Sequence, residues 1–465
     1  MDIKLNKFLF IFFIFSIHLV PFANKVSFET FPILLLLLVC YIFFIKGINL
    51  ENYINENKIT FLFILYLILF FIVNFWNENN NLLELTKYLI GPIMLFFFRD
   101  FKNYFRINEI LFFGFLIILL NIVFLFKIPI LFNISCNSLE FFISRLDCSN
   151  SLNLNRPFLI TPEPSYLSLL LSFYLIILNF FKQNITKKKQ KLYFFIVEIL
   201  ICYIIFSTSS RVGIFFLFFY VTYYFYLLKL YKNIYTYFFL FGIVIYLILF
   251  LNLNFFQSSK SFYKENIINS RNILNLDYII SRSKNNLQPL LVTDCSLIKN
   301  QIYYNDDSCH IENSLLAIIN TSEPTGFIRI LHNYLSLQSS FEKNLVGQGF
   351  GSYANLWYQY AKKYNVEKLL KSNEVAQKWY PNVENKKQYI QNYFFSILHD
   401  GGLIPAFLIL ILIYKSLINV IRNKYTFGYV IIAYIVVTFF FQSTITSPYP
   451  WLSLGLILFN EKKYA

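Results

Sequence analysis

Charged side chains are scarce in this chain: Asp, Glu, Lys and Arg make up 14% of its 465 residues, against 57% hydrophobic and 21% aromatic. A soluble globule of that length could not cover its surface with so few polar groups, which excludes a water-soluble enzyme and leaves a polytopic membrane protein. Histidine is scarce too. His18, His310, His332 and His399 stand at no metal-ligand spacing, and His310 beside Cys309 and Asp307 fits a loop disulfide better than a zinc site. No Ser-His-Asp constellation is present, so no covalent nucleophile of that kind is expected. Neither a metal nor another cofactor is expected. Glycine and alanine are few beside abundant Phe, Ile, Asn and Lys, the bias of an AT-rich genome, so the Asn77–Asn81 run needs no prion-like reading. The net charge of +15 comes from cations spread through short segments, with no basic stripe or nucleic-acid motif. It reads as topology, and no nucleic acid partner is expected.

What the chain does contain is apolar runs. A spanning helix needs roughly 20 apolar residues, and the candidates are Leu5–Pro21, Phe28–Ile45, Ile59–Trp76, Leu82–Phe98, Ile107–Phe126, Ser165–Phe181, Leu192–Ser207, Val212–Leu228, Tyr235–Phe256, Gln391–Val420, Thr426–Gln442 and Pro448–Asn460. They predict an all-α polytopic membrane protein with about twelve transmembrane helices. The first run leads directly into the next without a small-residue cleavage pattern, so no signal peptide is expected. Placing the N-terminus in the cytoplasm puts Lys4, Lys7, Lys46, Lys58, Arg99, Lys102, Arg106, Lys182, Lys187–Lys191, Lys229, Lys232, Arg422, Lys424, Lys462 and Lys463 inside. The expected organisation is N-terminal transmembrane helices over 1–127, a first outer loop over 128–164, central transmembrane helices over 165–256, a large helical outer loop over 257–390 and C-terminal transmembrane helices over 391–465.

Cysteine usage agrees with that topology. Cys136 and Cys148 fall in the first outer loop and Cys295 and Cys309 in the second, each pair close enough to bridge locally in an oxidising compartment. Each bridge would stabilise its loop by roughly 3 kcal/mol. The alternative is four unpaired thiols. In the large loop, Glu323–Phe341 has apolar residues at helical spacing. Gly347–Gly351 reads as a tight, backbone-exposed turn; with no preceding strand and no P-loop Lys it is not a nucleotide loop. Within the spans, Glu84 and Lys87 are expected to pair locally, while Glu198 stands isolated. Asn392, Ser396, His399 and Asp400 recur at spacings that share one helix face, and in an apolar helix that face should point into protein or a wet cavity.

Four stretches resemble the bacterial O-antigen polymerase and O-antigen ligase superfamily. Arg156–Tyr166 (RPFLITPEPSY) is similar to its segment running from an Arg to Glu-Pro-Ser at a helix start. Ser207–Gly213 (STSSRVG) is similar to its Ser-Arg motif at the top of a span. Arg329–Tyr353 resembles its Arg followed by a Gly-x-Gly-x-Gly turn, and Gln391–Pro405 the helix that closes its large loop. Two positions depart from the family pattern: Gln391 stands where ligases carry His, and Pro405 replaces a Gly. The resemblance implies a C-type glycosyltransferase-like fold in the bacterial inner membrane, with its active face periplasmic. It implies a polymerase moving a growing O-antigen or capsule-type glycan from undecaprenyl pyrophosphate to the next lipid-linked repeat unit, with neither nucleotide sugar nor cofactor. Its partners would be the undecaprenyl-pyrophosphate-linked oligosaccharide, membrane lipids and a chain-length regulator protein. A ligase or protein O-oligosaccharyltransferase is the same chemistry with another acceptor. A lipid-linked oligosaccharide flippase or exporter is the reading from a different class.

The residues suit that chemistry. Negative charge grows on a departing lipid pyrophosphate, and preorganised guanidiniums stabilise it more in the transition state than in the ground state. Their fork binds phosphate bidentately. Arg211 is the first expected catalytic cation, Arg329 the second, and Arg156 a further substrate-binding one. The bland alternatives are a snorkelling cation and ordinary loop ion pairs. The acceptor hydroxyl must lose a proton, and Glu163, between Pro162 and Pro164, is the expected catalytic carboxylate, alternatively a capping acid. Ser165, Tyr166, Ser210, Asn392, His399 and Asp400 are expected to contact substrate. His399 is an alternative base or a structural hydrogen-bonder, and Asp400 is substrate-binding or paired with one of the arginines.

The topology is directly testable. Single cysteines introduced near Lys188 and near Asn344 should react with a membrane-impermeant thiol reagent from opposite sides of spheroplast membranes. Labelling of both from outside would overturn the helix count.

Overall fold

The computed structural model describes residues 3–15, 17, 50–78, 80–98, 107–125, 161, 164–182, 188–208, 210–227, 324–364, 388–390, 392–441 and 446–459. The expected spans Phe28–Ile45 and Tyr235–Phe256, the four outer-loop cysteines, Arg156, Glu163 and Gln391 lie outside these residues. Every regular element among them is a helix: α1 (Ile3–Phe15), α2 (Leu50–Glu56), α3 (Lys58–Val73), α4 (Leu82–Phe96), α5 (Ile107–Leu125), α6 (Pro164–Lys182), α7 (Lys188–Ser207), α8 (Arg211–Leu227), α9 (Pro324–Glu342), α10 (Ser352–Lys363), α11 (Tyr393–Asp400), α12 (Leu403–Arg422), α13 (Gly428–Phe440) and α14 (Tyr449–Leu458). The chain divides into two compact units. The first comprises Met1–Leu228, Asn333–Tyr360 and Lys387–Ala465; the second comprises Lys229–His332 and Ala361–Lys386. The second unit holds the start of α9 and the end of α10.

Three helices, over Ser165–Lys182, Gln190–Ser207 and Leu403–Arg422, are long and apolar enough to cross a membrane; α3, α5, α8, α13 and α14 carry shorter apolar stretches. Their degree of enclosure sets the layout of the first unit. Of the Ser165–Lys182 stretch 83% is buried, against 28% for the α7 stretch and 33% for that of α12. So α6 is the central helix, packed by α5, α7, α8, α13 and α14. The outer faces of α7 and α12 present Leu192, Phe195, Ile196, Ile199, Phe407 and Tyr414. A contiguous apolar outer face suits lipid rather than water.

The run expected as a single span over Gln391–Val420 is two helices. α11 stops at Asp400 and α12 starts at Leu403, because Gly402 takes φ +91°, a conformation that L side chains rarely adopt. Pro405 is no obstacle in the first turn of α12, where an N–H has no intrahelical partner in any case. The polar backbone exposed by the break is satisfied by residues 345–349. Leu403 N–H donates to the Leu345 carbonyl (3.0 Å), Gln348 N–H to that of His399 (3.1 Å) and Gly349 N–H to that of Asp400 (3.0 Å), while an isolated antiparallel bridge joins Val346 to Gly402. The approach is so close that a Cβ on Gly347 would lie 2.5 Å from the Gly401 carbonyl carbon and 2.6 Å from the Asp400 oxygen. Irregular backbone in an apolar setting persists only where protein or water meets its hydrogen bonds, and here the glycine turn does so. That turn is accordingly buried at Gly349, Phe350 and Gly351 instead of backbone-exposed.

Glu198 is not isolated either. It is buried midway along α7, with its Oε2 2.6 Å from Lys182 Nζ and its Oε1 accepting from Asn179 Nδ2 (3.1 Å) and from the hydroxyls of Tyr220 and Tyr224. Asn179 and Lys182 come from α6, the tyrosines from α8. One carboxylate thus joins three helices.

Removing that carboxylate leaves Lys182, partly exposed and still 2.9 Å from the Tyr224 hydroxyl, without its counter-charge and strips the buried Tyr220 hydroxyl of its acceptor. Glu198→Ala should therefore lower unfolding stability in detergent by about 3–5 kcal/mol, and Lys182→Met added to it should recover much of the loss. A Glu198→Ala protein that unfolds at the wild-type midpoint would remove this network from the forces holding α6, α7 and α8.

Candidate functional site

Two clusters collect most of the expected site residues that the structure describes. The first is built around Asp400, which is 3% exposed at the end of α11. Its Oδ2 accepts from the Tyr88 hydroxyl (2.9 Å) and Gly351 N–H (3.0 Å); its Oδ1 accepts from Ser352 Oγ (3.1 Å), Tyr353 N–H (3.4 Å) and His399 Nδ1 (2.9 Å). Gly351, Ser352 and Tyr353 form the start of α10, so Asp400 caps that helix from another part of the chain. A carboxylate there meets both orphan N–H groups and the positive end of the helix dipole. Among the described residues its partners are these donors, and none is an arginine.

The glycine turn is gripped from its other side by the α3–α4 loop. Asn77 Nδ2 donates to the Gln348 carbonyl (3.1 Å), Phe350 N–H donates to Asn80 Oδ1 (2.9 Å), and Asn81 N–H donates to the Phe350 carbonyl (2.9 Å). The asparagines read as compositional bias are thus the dock for the turn. Asn392 is the N-cap of α11, its Oδ1 accepting from Phe395 N–H (2.9 Å) and its Nδ2 donating to Asn333 Oδ1. Ser396 Oγ meets the Tyr88 hydroxyl at 2.6 Å. All four residues of the expected polar face, Asn392, Ser396, His399 and Asp400, point into protein. On α4, Glu84 and Lys87 pair at 2.6 Å as their spacing predicts, and Tyr389 joins them, its hydroxyl 3.2 Å from Glu84 and its ring beneath the Lys87 ammonium. Burial and the Glu84 charge raise the Tyr389 pKa and keep it a neutral phenol.

The second cluster joins the starts of α6 and α8. Ser168 Oγ bonds Ser210 Oγ (2.9 Å) and the Ser165 carbonyl (2.8 Å), and a Cβ on Gly213 would fall 2.8 Å from that of Ser168. Thr161 and Tyr166 are buried beside the half-buried Ser165, and Arg211 is the exposed first residue of α8. The Thr161–Tyr166 and Ser207–Gly213 motifs, some forty positions apart in sequence, therefore meet.

Both clusters lie at one end of α13. Phe216 of α8 packs on Tyr434 (5.8 Å) while Tyr223, further along, packs on Phe427 (4.9 Å), so the two helices are antiparallel and Arg211 lies toward the Phe440 end. Phe394 and Tyr393 of α11 pack on Phe440 and Phe439 at that same end (4.5 and 5.6 Å). Arg329 is half-buried on the part of α9 that belongs to the second unit, as does His332, whose pKa burial pushes down to about 4. Three groups that the sequence reading passed over belong to the first cluster. Tyr88 had a signal in its neighbours Glu84 and Lys87, and Ser352 in its place after the glycines; Asn80 had none beyond its loop. No family model matches this chain, and no curated protein or solved structure is similar to it.

Asp400→Ala would leave the Gly351 and Tyr353 N–H groups buried without an acceptor, each costing about 1–3 kcal/mol. The expected result is destabilised protein with new protease cleavage within 343–352, read by mass spectrometry of detergent-solubilised material. Uncut, wild-type-stable protein would refute the cap.

Proposed function

We propose that this chain is a membrane glycosyltransferase of the polysaccharide polymerase kind, resembling the O-antigen polymerases. It transfers a growing O-antigen or capsule-type glycan from undecaprenyl pyrophosphate to the next lipid-linked repeat unit. The chain would span the bacterial inner membrane about twelve times, with a C-type glycosyltransferase-like fold and the active face toward the periplasm. The observation that carries the reading is the meeting, at one end of α13, of segments far apart in sequence that bear the resemblance: the start of α6, the Ser-Arg start of α8, and the glycine turn with α11.

In this reading Arg211, at the mouth of the second cluster, holds the pyrophosphate, and Arg329 is a second catalytic cation. Arg156 would bind the same donor, and Glu163 would orient the acceptor hydroxyl. The acceptor hydroxyl attacks the anomeric carbon as the bond to pyrophosphate breaks, a single displacement with inversion. Transfer to lipid A core or protein by a ligase is the same step with another acceptor. Transport without chemistry would call for polar groups lining a route across the bilayer. Glu198 is the buried charge best placed for one, but both its oxygens are occupied by Lys182, Asn179, Tyr220 and Tyr224.

The test is incubation of purified protein with a defined lipid-linked oligosaccharide and gel analysis for a ladder. Arg211→Ala should reduce the rate about a hundred- to a thousand-fold, the loss that follows removal of a donor aimed at developing charge. Arg211→Lys should remain severely impaired because an ammonium cannot reproduce the fork. Lys25→Ala, a cation in a short outer loop by sequence, serves as control. Wild-type ladders from well-inserted Arg211→Ala protein would take Arg211 out of the site.

A further inference from the structure

His399 has one ring nitrogen engaged and one left over. Its Nδ1 lies 2.9 Å from Asp400 Oδ1 and a long 3.4 Å from Ser352 Oγ, while its Nε2 is buried with no hydrogen-bond partner among the described residues. An ionised carboxylate only accepts hydrogen bonds, so Nδ1 carries the proton and Nε2 presents a lone pair. Five donors converge on Asp400. The ring is fixed in place by Tyr353, edge-on at 5.2 Å, and by Tyr360 at 5.6 Å. Of those two rings only Tyr360 reaches the surface, and it is held by its hydroxyl to Gln348 Oε1 (2.5 Å) in the glycine turn. An orphan basic nitrogen on a ring oriented by a carboxylate and flanked by one partly exposed tyrosine is the arrangement of a general base awaiting its substrate.

We infer that His399 Nε2 is the base that deprotonates the acceptor sugar, with Asp400 as its positioning partner and Tyr360 as its cover. The inference rests on the polymerase reading above. As the acceptor oxygen bonds to the anomeric carbon, its O–H electron pair forms the new glycosidic bond and the proton passes to Nε2. The anomeric carbon–oxygen bond breaks, and its electron pair leaves with the lipid pyrophosphate. The imidazolium formed faces Asp400 and later releases its proton to water. The titratable groups around the ring are Asp400 on α11, Tyr353 and Tyr360 on α10 and Tyr88 on α4, with the carboxylate of Glu342 acting on Tyr360 and that of Glu84 on Tyr88. Burial, then the charge of Asp400, pushes the Tyr360 pKa up to about 12, so it remains a phenol across the working range.

The test combines turnover with a readout that needs none. With a defined lipid-linked oligosaccharide, the wild-type rate should fall as acid protonates Nε2. His399→Gln should lose about a hundred- to ten-thousand-fold in rate, and with it that acid limb. Diethyl pyrocarbonate, which acylates unprotonated imidazole nitrogen, should modify His399 slowly in folded wild-type protein and severalfold faster in Tyr360→Ala, as read by peptide mass spectrometry. A His399→Gln protein with the wild-type rate and pH profile overturns the base and leaves the polymerase reading standing. Failure of His399 to react in folded Tyr360→Ala overturns the covered lone pair even if His399→Gln does not fold. Wild-type protein that makes no ladder overturns the polymerase reading and the base together.

Discussion

A carboxylate withdrawn from water keeps its charge only when donors replace the water, and the Asp400 site is arranged around that requirement. Hydrogen bonds from Tyr88, Gly351, Ser352, Tyr353 and His399 reach its two oxygens. Because those donors come from α4, α10, α11 and the turn before α10, satisfying one side chain fixes the relation of four segments. The helix break follows from the same geometry. Asp400 can cap α10 only if α11 ends there, and Gly401-Gly402 ends it while Gly347 lets the turn come close enough to meet the freed backbone groups.

Glu198 solves the same problem at the opposite end of the bundle. Tyr220, one of its donors, also packs against Phe427 at the start of α13, whereas the Asp400 cluster lies toward Phe440. The two polar centres differ in what they leave over. Around Glu198 the hydrogen bonds close on themselves, which suits a clamp between α6, α7 and α8. Around Asp400 the network ends in an imidazole with an unused nitrogen, at the end of the bundle where the Ser-Arg start of α8 emerges. Proton transfer needs a group with capacity to spare, and the second centre has it.

Much of the helical layout is legible along the chain, because a run of Phe, Leu and Ile long enough to cross a bilayer has few alternatives to a helix. The expected run Ile107–Phe126 is the helix Ile107–Leu125, and Glu323–Phe341 is the helix Pro324–Glu342. The error at Gln391–Val420 has a clear cause. Apolar content carries no record of backbone direction, and two glycines in such a run are compatible with either a continuous or a broken helix until something packs against them. Glu198 looked isolated because its partners lie sixteen to twenty-six positions away, on neighbouring helices.

The sequence alone therefore determined the apolar, helical character of the molecule, most of its helix boundaries among the described residues, and which polar groups are too costly in an apolar setting to be incidental. Tertiary structure decided what each of those groups does. Asn77, Asn80 and Asn81 became a dock, Asp400 a helix cap and His399 a ring with one free nitrogen through contacts that span up to several hundred positions of chain. Hydropathy is a property of a residue and can be summed along a segment. A hydrogen bond belongs to a pair, and in this chain the pairs that matter form only when separate helices pack.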